Sequence, residues 1–183
     1  MRLRPLLALA ALAASTAVAA DPAPPAAPPA SATAPLAPFQ WLAGSCWNGS
    51  FSDGRTRDLV CYEWMLGGRF LRSRHRILGG ERAYSGETVY GRDAAGGGLA
   101  FTYFNSDGET LRGAIVPTAE GFSFPEESVD AGGKSLRLRS VWRRSGPDRY
   151  LAVTERLDGD LWRPMMTVDF VRGGPASDWR EAD

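Results

Sequence analysis

Short runs of alternating apolar and polar residues recur roughly every 10–14 residues after position 44, with Gly, Asp, Asn, Ser or Pro between them. Such alternation places every second side chain on one face, as in a half-buried β-strand. Helical spacing of apolar residues is not found in any long stretch free of Gly and Pro. The pattern predicts an all-β antiparallel sandwich or barrel. About ten candidate strands occupy residues 45–51, 58–66, 69–78, 83–91, 98–105, 109–116, 120–125, 134–144, 149–157 and 161–172.

The strongest turn signal is the dipeptide Asp53-Gly54, because glycine adopts the positive φ of a two-residue hairpin turn without steric cost. A hairpin centred there places Cys46 opposite Cys61, and a four-residue loop over residues 52–55 keeps the same partners. Residues opposite each other in an antiparallel pair have Cα atoms ~4.5–5.5 Å apart, within the range of a disulfide. We therefore predict a Cys46–Cys61 disulfide. The alternative is a redox-active pair, for which the chain has no C-x-x-C motif.

The hairpin register also assigns side chains to the two faces of the sheet. We take the aromatic face as the interior, because aromatic side chains bury the most area. Predicted interior residues of the first four strands are Trp47, Phe51, Val60, Tyr62, Trp64, Leu66, Leu71, His75, Ile77, Tyr84, Thr88 and Tyr90. The opposite face carries Arg72, Arg74 and Arg76, which we interpret as a solvated row, with a ligand clamp as the alternative.

The last three strands repeat this alternation, and their more apolar rows are predicted to face inward. These rows are Leu136, Leu138 and Trp142, then Leu151, Val153, Glu155 and Leu157, and finally Trp162, Met166, Val168 and Phe170. Glu155 is a charged member of an otherwise apolar row. It is predicted either to pair with an arginine or water at the barrel end, or to accept a hydrogen bond from a ligand inside.

An open sheet of about ten short strands would leave two unpaired edges, and closure into a barrel removes them. We predict an up-and-down β-barrel over residues 39–183. All six Trp, all five Tyr and all eight Phe of the chain lie in this region. A barrel of this size is either filled by its own side chains or holds one small ligand.

The first 38 residues differ in composition from the rest. Residues 1–20 combine Arg2 and Arg4 with an Ala/Leu-rich run and small residues near a cleavage site, which predicts a secretory signal peptide and a periplasmic or secreted protein. The apolar run is shorter than the ~20 residues of a membrane span, so none is predicted. Residues 21–38 are mostly Pro and Ala, which indicates a semi-rigid linker, with a Pro-rich docking ligand as the alternative.

Composition excludes several classes of function. The chain has 21 basic and 21 acidic residues, so it has no basic excess for binding nucleic acid. One His and two Cys are too few for most zinc sites, and neither a metal nor another cofactor is predicted. His75 is the one candidate general base, and neither a nucleophile motif nor a carboxylate pair accompanies it. No catalytic residue is therefore assigned.

The segment 39–49, FQWLAGSCWNG, resembles the Leu-x-Gly-x-Trp-x-Gly start of bacterial lipocalin-like proteins of the calycin superfamily, many of them secreted and of unknown function. Similar motifs follow as GGRFL at 67–71, YGRD at 90–93 and NSDG at 105–108. The resemblance implies a barrel that binds small, mostly apolar molecules. It also implies a Trp near the closed end covered by a basic residue of the last strand, and Trp47 and Arg172 match these positions. Haem-binding relatives use a late His, which this chain lacks.

Two main function classes remain. The first is a binding module that holds a small hydrophobic ligand in an aromatic-lined cavity. Its candidate ligand-binding residues are Tyr62, Trp64, His75, Tyr84, Tyr90, Trp142, Glu155, Met166 and Phe170, with His75 and Glu155 as the polar groups. The second is a structural or interaction domain of the cell envelope with a filled core. A hydrolase-type enzyme that uses His75 as a base is the weakest alternative, and we predict that the protein is not an enzyme.

Overall fold

The computed structural model describes residues 34–93, 96–131 and 134–180. Ten antiparallel strands close into an up-and-down barrel in which sequence neighbours pair and the first strand pairs with the last. The strands are Ser45–Phe51 (β1), Arg57–Met65 (β2), Phe70–Leu78 (β3), Tyr84–Arg92 (β4), Leu99–Asn105 (β5), Thr110–Pro117 (β6), Gly121–Ala131 (β7), Lys134–Gly146 (β8), Arg149–Asp158 (β9) and Leu161–Pro175 (β10). The predicted fold class is confirmed. The predicted signal peptide lies outside the described residues, as does the part of the linker before residue 34.

The register of the first hairpin is as predicted from its turn. Cys46 lies opposite Cys61 and Trp47 lies opposite Val60. The two cysteines form a disulfide. Gly54 adopts a φ of 71°, the left-handed conformation that favours glycine over residues with a Cβ. The backbone N–H of Phe51 donates to the Thr56 carbonyl, so a four-residue loop over residues 52–55 joins the strands in place of a two-residue turn. The register is the same for both loops, and it brings the two sulfur atoms together.

One end of the barrel is closed by the chain that precedes β1. A 3₁₀ helix over Ala34–Phe39 begins inside the predicted linker and leads into a turn that ends at β1. Leu36, Phe39 and Leu42 of this segment are buried, at 1%, 0% and 0% exposure. Three apolar side chains therefore fill the end of the barrel that the strands alone would leave open.

Arg172 covers Trp47 at this closed end, as predicted. The guanidinium carbon lies 4.3 Å from the centroid of the indole ring. Its nitrogens donate to Ser45 Oγ at 2.6 Å, to the Trp41 carbonyl at 2.8 Å and to Asp148 Oδ1 at 2.6 Å. Because β1 and β10 are neighbours in the closed barrel, one side chain joins both strands and the N-terminal segment.

Replacing Arg172 by Ala should lower the free energy of unfolding by about 2 kcal/mol, because a cation–π contact and charge-assisted hydrogen bonds are lost together. Arg172→Lys should recover only part of this, since a lysine has no planar fork. Arg149→Ala is the control, because the Arg149 side chain is 58% exposed and pairs with Asp169 on the surface. Denaturant melts that gave equal losses for Arg172→Ala and Arg149→Ala would contradict this account.

The predicted interior row of β9 is wrong. Tyr150, Ala152 and Thr154 are the buried side chains of this strand, so the alternate row faces outward. That outward row is Leu151, Val153, Glu155 and Leu157, of which none is buried. The true inward row has an alanine and a threonine where it borders a cavity, and it is therefore less apolar than the row that faces out. Taking the more apolar of the two rows as the inward one therefore selects the wrong face of β9.

Two further side chains also differ from the prediction. The pairing of β9 with β10 is irregular between Pro164 and Met166. This irregularity reverses which alternate side chains of β10 face inward before Met166. Trp162 consequently lies on the outer surface, with the Arg139 guanidinium over its ring at 4.6 Å. Leu66 follows the end of β2 and is 71% exposed.

The row of Arg72, Arg74 and Arg76 faces outward as predicted, but other side chains cover part of it. Arg72 and Arg74 both form ion pairs with Glu63, the second at 3.2 Å. Arg74 and Arg76 lie over the ring of Trp179 at 5.2 and 5.3 Å. The row thus anchors the C-terminal segment to the barrel wall.

Candidate ligand cavity

The closed half of the barrel is packed with aromatic side chains. Phe39 stacks on Phe122 with ring centroids 4.2 Å apart, and Tyr150 stacks on Phe170 at 4.6 Å. The rings come from the N-terminal segment, β7, β9 and β10, so the core joins distant parts of the chain. A filled core, the basis of the second function class, therefore exists in this half.

The other half of the barrel contains a cavity of about 630 Å³. Most of the predicted ligand-binding residues line it, namely Tyr62, His75, Tyr84, Tyr90, Trp142, Met166 and Phe170. Trp64 and Glu155 are not among the lining residues. Trp64 is half-buried and packs against the aromatic core. Glu155 points outward and accepts a hydrogen bond from Arg139 Nε at 2.6 Å, so the prediction that it faces the interior is wrong.

A chain of polar side chains runs along one wall of the cavity. The Asp58 carboxylate lies 3.1 Å from His75 Nδ1, and the Tyr103 hydroxyl lies 2.9 Å from His75 Nε2. The Tyr84 hydroxyl is 2.9 Å from that of Tyr103, and Asn105 Nδ2 donates to the Tyr84 oxygen at 3.2 Å. The five residues come from four adjacent strands, β2 to β5, and form one continuous network.

The direction of each hydrogen bond in this network follows from its two ends. Asn105 Oδ1 accepts from the backbone N–H groups of Asp107 and Glu109, so its Nδ2 must be the donor to Tyr84. At the other end, a carboxylate only accepts, so His75 Nδ1 carries the proton that is shared with Asp58. With a neutral imidazole, the phenol of Tyr103 donates to Nε2 and that of Tyr84 donates to Tyr103. Every proton then points towards Asp58.

Gly86 makes the contact between His75 and Tyr103 sterically feasible. It lies opposite His75 in the pairing of β3 with β4. A Cβ atom at position 86 would lie 2.4 Å from Cε2 and 2.6 Å from the hydroxyl oxygen of Tyr103. Such distances are far below van der Waals contact, so a side chain at position 86 would clash with Tyr103. Glycine at this position of β4 therefore allows Tyr103 of β5 to reach His75 of β3.

Other buried hydroxyl groups of the interior are paired with each other. The Tyr62 and Tyr150 hydroxyls lie 3.2 Å apart, and Ser140 and Thr154 lie 3.0 Å apart. Burial raises the pKa of Tyr62 and Tyr150 well above the usual 10, and it also raises the pKa of Tyr103. The phenols therefore stay uncharged, because the low-dielectric interior disfavours phenolate.

The rim of the cavity mixes apolar and charged side chains. Met165 and Met166 are 50% and 42% exposed, and both line the cavity. Arg82 also lines it, lies over the Tyr84 ring at 5.4 Å, and donates to Asp107 Oδ2 at 2.6 Å. This ion pair lowers the pKa of the Asp107 carboxyl below its usual value. The open end of the barrel thus carries two flexible methionine side chains beside Arg82, whose guanidinium is already paired with Asp107.

Several polar residues of the cavity are not predicted by the sequence pattern. Asp58 shares the parity of Val60 and Tyr62 on β2, so extending that row to the start of the strand would have found it. Tyr103 and Asn105 lie on a predicted strand to which no face is assigned. Finding the contact of Tyr103 with His75 requires knowing that Gly86 leaves room for the Tyr103 side chain beside β4.

A metal site does not emerge from the side chains of residues 34–93, 96–131 and 134–180, where no group of three His, Cys, Asp or Glu could hold an ion. In the same ranges no helix has the length and apolar character needed to cross a membrane. Comparison with known family models finds no match, and comparison with curated proteins finds none either. The closed ten-stranded antiparallel barrel is consistent with a calycin-like fold.

Proposed function

We propose that this protein is a secreted or periplasmic lipocalin-like barrel that binds a small, mostly apolar molecule. The observation that carries the proposal is the cavity of about 630 Å³ above a packed aromatic floor. Ligand pockets of roughly 300–1,000 Å³ with mainly hydrophobic walls and a few placed polar groups are typical of small-molecule sites. The polar network from Asp58 to Asn105 supplies those groups on one wall.

A binding role fits the site better than a catalytic one. A general base acts on a group that gives up its proton readily near neutral pH. The hydroxyl at His75 Nε2 is that of Tyr103, and burial raises the pKa of this phenol, so it keeps its proton. We therefore propose that His75 orients the polar wall and that the protein is not an enzyme.

A compartment outside the cytoplasm is supported by the disulfide between Cys46 and Cys61. Disulfides form and persist in oxidising compartments such as the periplasm and the extracellular space. The predicted signal peptide over residues 1–20 points the same way.

The test compares two variants of equal bulk at neighbouring positions. Ala152 lines the cavity and Val153 is on the outer face, so Ala152→Phe fills the cavity and Val153→Phe does not. The uncharged fluorophore N-phenyl-1-naphthylamine serves as the ligand. We expect the unmodified protein and Val153→Phe to bind it, and we expect Ala152→Phe to weaken binding by about tenfold or more, since the ring occupies the same space.

Fluorescence titration gives the three affinities, and thermal melts verify that both variants are folded. Equal affinity of the two variants would place the fluorophore outside the barrel and would contradict the proposal. Absence of binding by the unmodified protein would favour the filled-core alternative, a structural or interaction domain.

A further inference from the structure

The charged groups that line the cavity are mostly acidic. Asp58, Glu81 and Glu109 all belong to the lining. Among the described lining residues, Arg82 is the one Lys or Arg side chain, and its guanidinium pairs with Asp107. A ligand carboxylate would therefore face the partly buried Asp58 and Glu109 and the exposed Glu81, while the Arg82 guanidinium is already paired. Repulsion between like charges disfavours such a ligand.

Asp58 is a largely buried acidic group of the lining. Its side chain is 13% exposed, and its hydrogen-bond partner is His75 Nδ1. Burial is the main cause of the raised pKa of the Tyr62, Tyr103 and Tyr150 phenols, and the charge of Asp58 adds to it. Because Asp58 lines the cavity, its carboxylate opposes further negative charge there and favours positive charge.

The hydrogen-bond network offers acceptors rather than donors to a ligand. With a neutral imidazole, the protons of Tyr84 and Tyr103 are both used along the chain that ends at Asp58. Each phenol oxygen accepts one hydrogen bond and keeps a second acceptor position. An alkylammonium group has up to three N–H donors and no acceptor, so its polarity is complementary to this wall.

The remaining walls suit the same ligand. The rings of Tyr62, Tyr90 and Trp142 line the cavity, and an aromatic face attracts a cation within about 6 Å of its centroid. The buried Phe170 and Val168 side chains provide apolar surface for a hydrocarbon or aromatic body. One end of such a ligand would be held by charge and hydrogen bonds, and the other by burial of apolar area.

We propose that the ligand of this cavity is a hydrophobic amine, bound with its ammonium group beside the Asp58 carboxylate. This inference rests on the proposed function and adds the chemical class of the ligand to it. It excludes fatty acids and other amphiphilic anions as preferred ligands.

Three ten-carbon probes separate charge from hydrophobic burial: decylamine, 1-decanol and decanoate. At neutral pH they carry a positive charge, no charge and a negative charge on the same chain. Each is titrated against bound N-phenyl-1-naphthylamine. We expect decylamine to bind about tenfold more tightly than decanol, and decanoate to bind more weakly than decanol.

The matched variants are Asp58→Asn and Asp169→Asn, which remove the same charge at an inner and an outer position. Asp169 pairs with Arg149 on the surface and does not line the cavity. We expect Asp58→Asn to reduce the preference for decylamine over decanol to about twofold or less. Asp169→Asn should retain the full preference. Because the comparison of the three probes uses the unmodified protein, it does not depend on the folding of either variant.

Each outcome decides a different part of the account. Equal binding of all three probes, or a preference for decanoate, would overturn the amine inference and leave the apolar cavity as the proposed function. Persistence of the amine preference in Asp58→Asn would also overturn it, because the charge would then act from elsewhere. Failure of all three probes and of the fluorophore to bind would overturn the proposed function as well.

Discussion

Replacing Phe39 by Ala is expected to lower the free energy of unfolding by about 4 kcal/mol, with a fall in melting temperature of roughly 10 °C. The Phe39 side chain is fully buried, at 0% exposure. It stacks on Phe122 at 4.2 Å and lies 5.2 Å from the ring of Tyr90. The substitution leaves a void between the N-terminal segment and the barrel, and the rigid strands around it cannot collapse fully.

Phe104→Ala is the matched control, since the Phe104 side chain is 47% exposed on β5. It removes the same atoms from a surface position and should cost less than about 1 kcal/mol. Denaturant melts of both variants measure the difference. Similar stability of Phe39→Ala and the unmodified protein would mean that the segment before β1 does not close the barrel end.

Loss of the disulfide is expected to have the second-largest effect. The bond joins residues 15 apart in sequence, and a loop of that length predicts about 3 kcal/mol of stabilisation from the lower entropy of the unfolded chain. Both cysteines are buried, together with Ala176 of a 3₁₀ helix that follows β10 over Ala176–Asp178, so substitution also affects packing there. The double variant Cys46→Ala, Cys61→Ala should therefore unfold at clearly lower denaturant concentration.

The reduced, unmodified protein is the control for packing, because it lacks the bond but keeps both sulfur atoms. Its unfolding midpoint should fall close to that of the double variant. Identical midpoints for the oxidised protein and the double variant would show that the bond contributes no stability. Thiol labelling of the protein isolated without reductant, with no free thiol expected, provides an independent test of the bond itself.

The sequence was sufficient to predict the strand order and the first register. Asp53-Gly54 predicts a hairpin, and the hairpin pairs Cys46 with Cys61. These are local effects, in which a turn residue and a period of two act over a few positions. They suffice because each strand of an up-and-down barrel pairs with its neighbours in sequence.

The site could be predicted only in part, because it depends on non-local geometry. The irregular pairing at Pro164 turns Trp162 outward, and the small side chain of Ala152 makes the inner row of β9 less apolar than the outer one. The contact of Tyr103 with His75 requires Gly86 in the strand between them. Whether a barrel is filled or hollow depends on the summed volume of side chains from all strands, which no single motif reveals.

The most direct test of a ligand cavity is the position of a bound molecule, observed by intermolecular NOEs in solution. With N-phenyl-1-naphthylamine at saturation, we predict contacts from its rings to the methyl groups of Ala152, Met166 and Val168, which line the cavity. Contacts confined to outer side chains such as Val153 and Val171, or no contacts at all at saturation, would contradict the account.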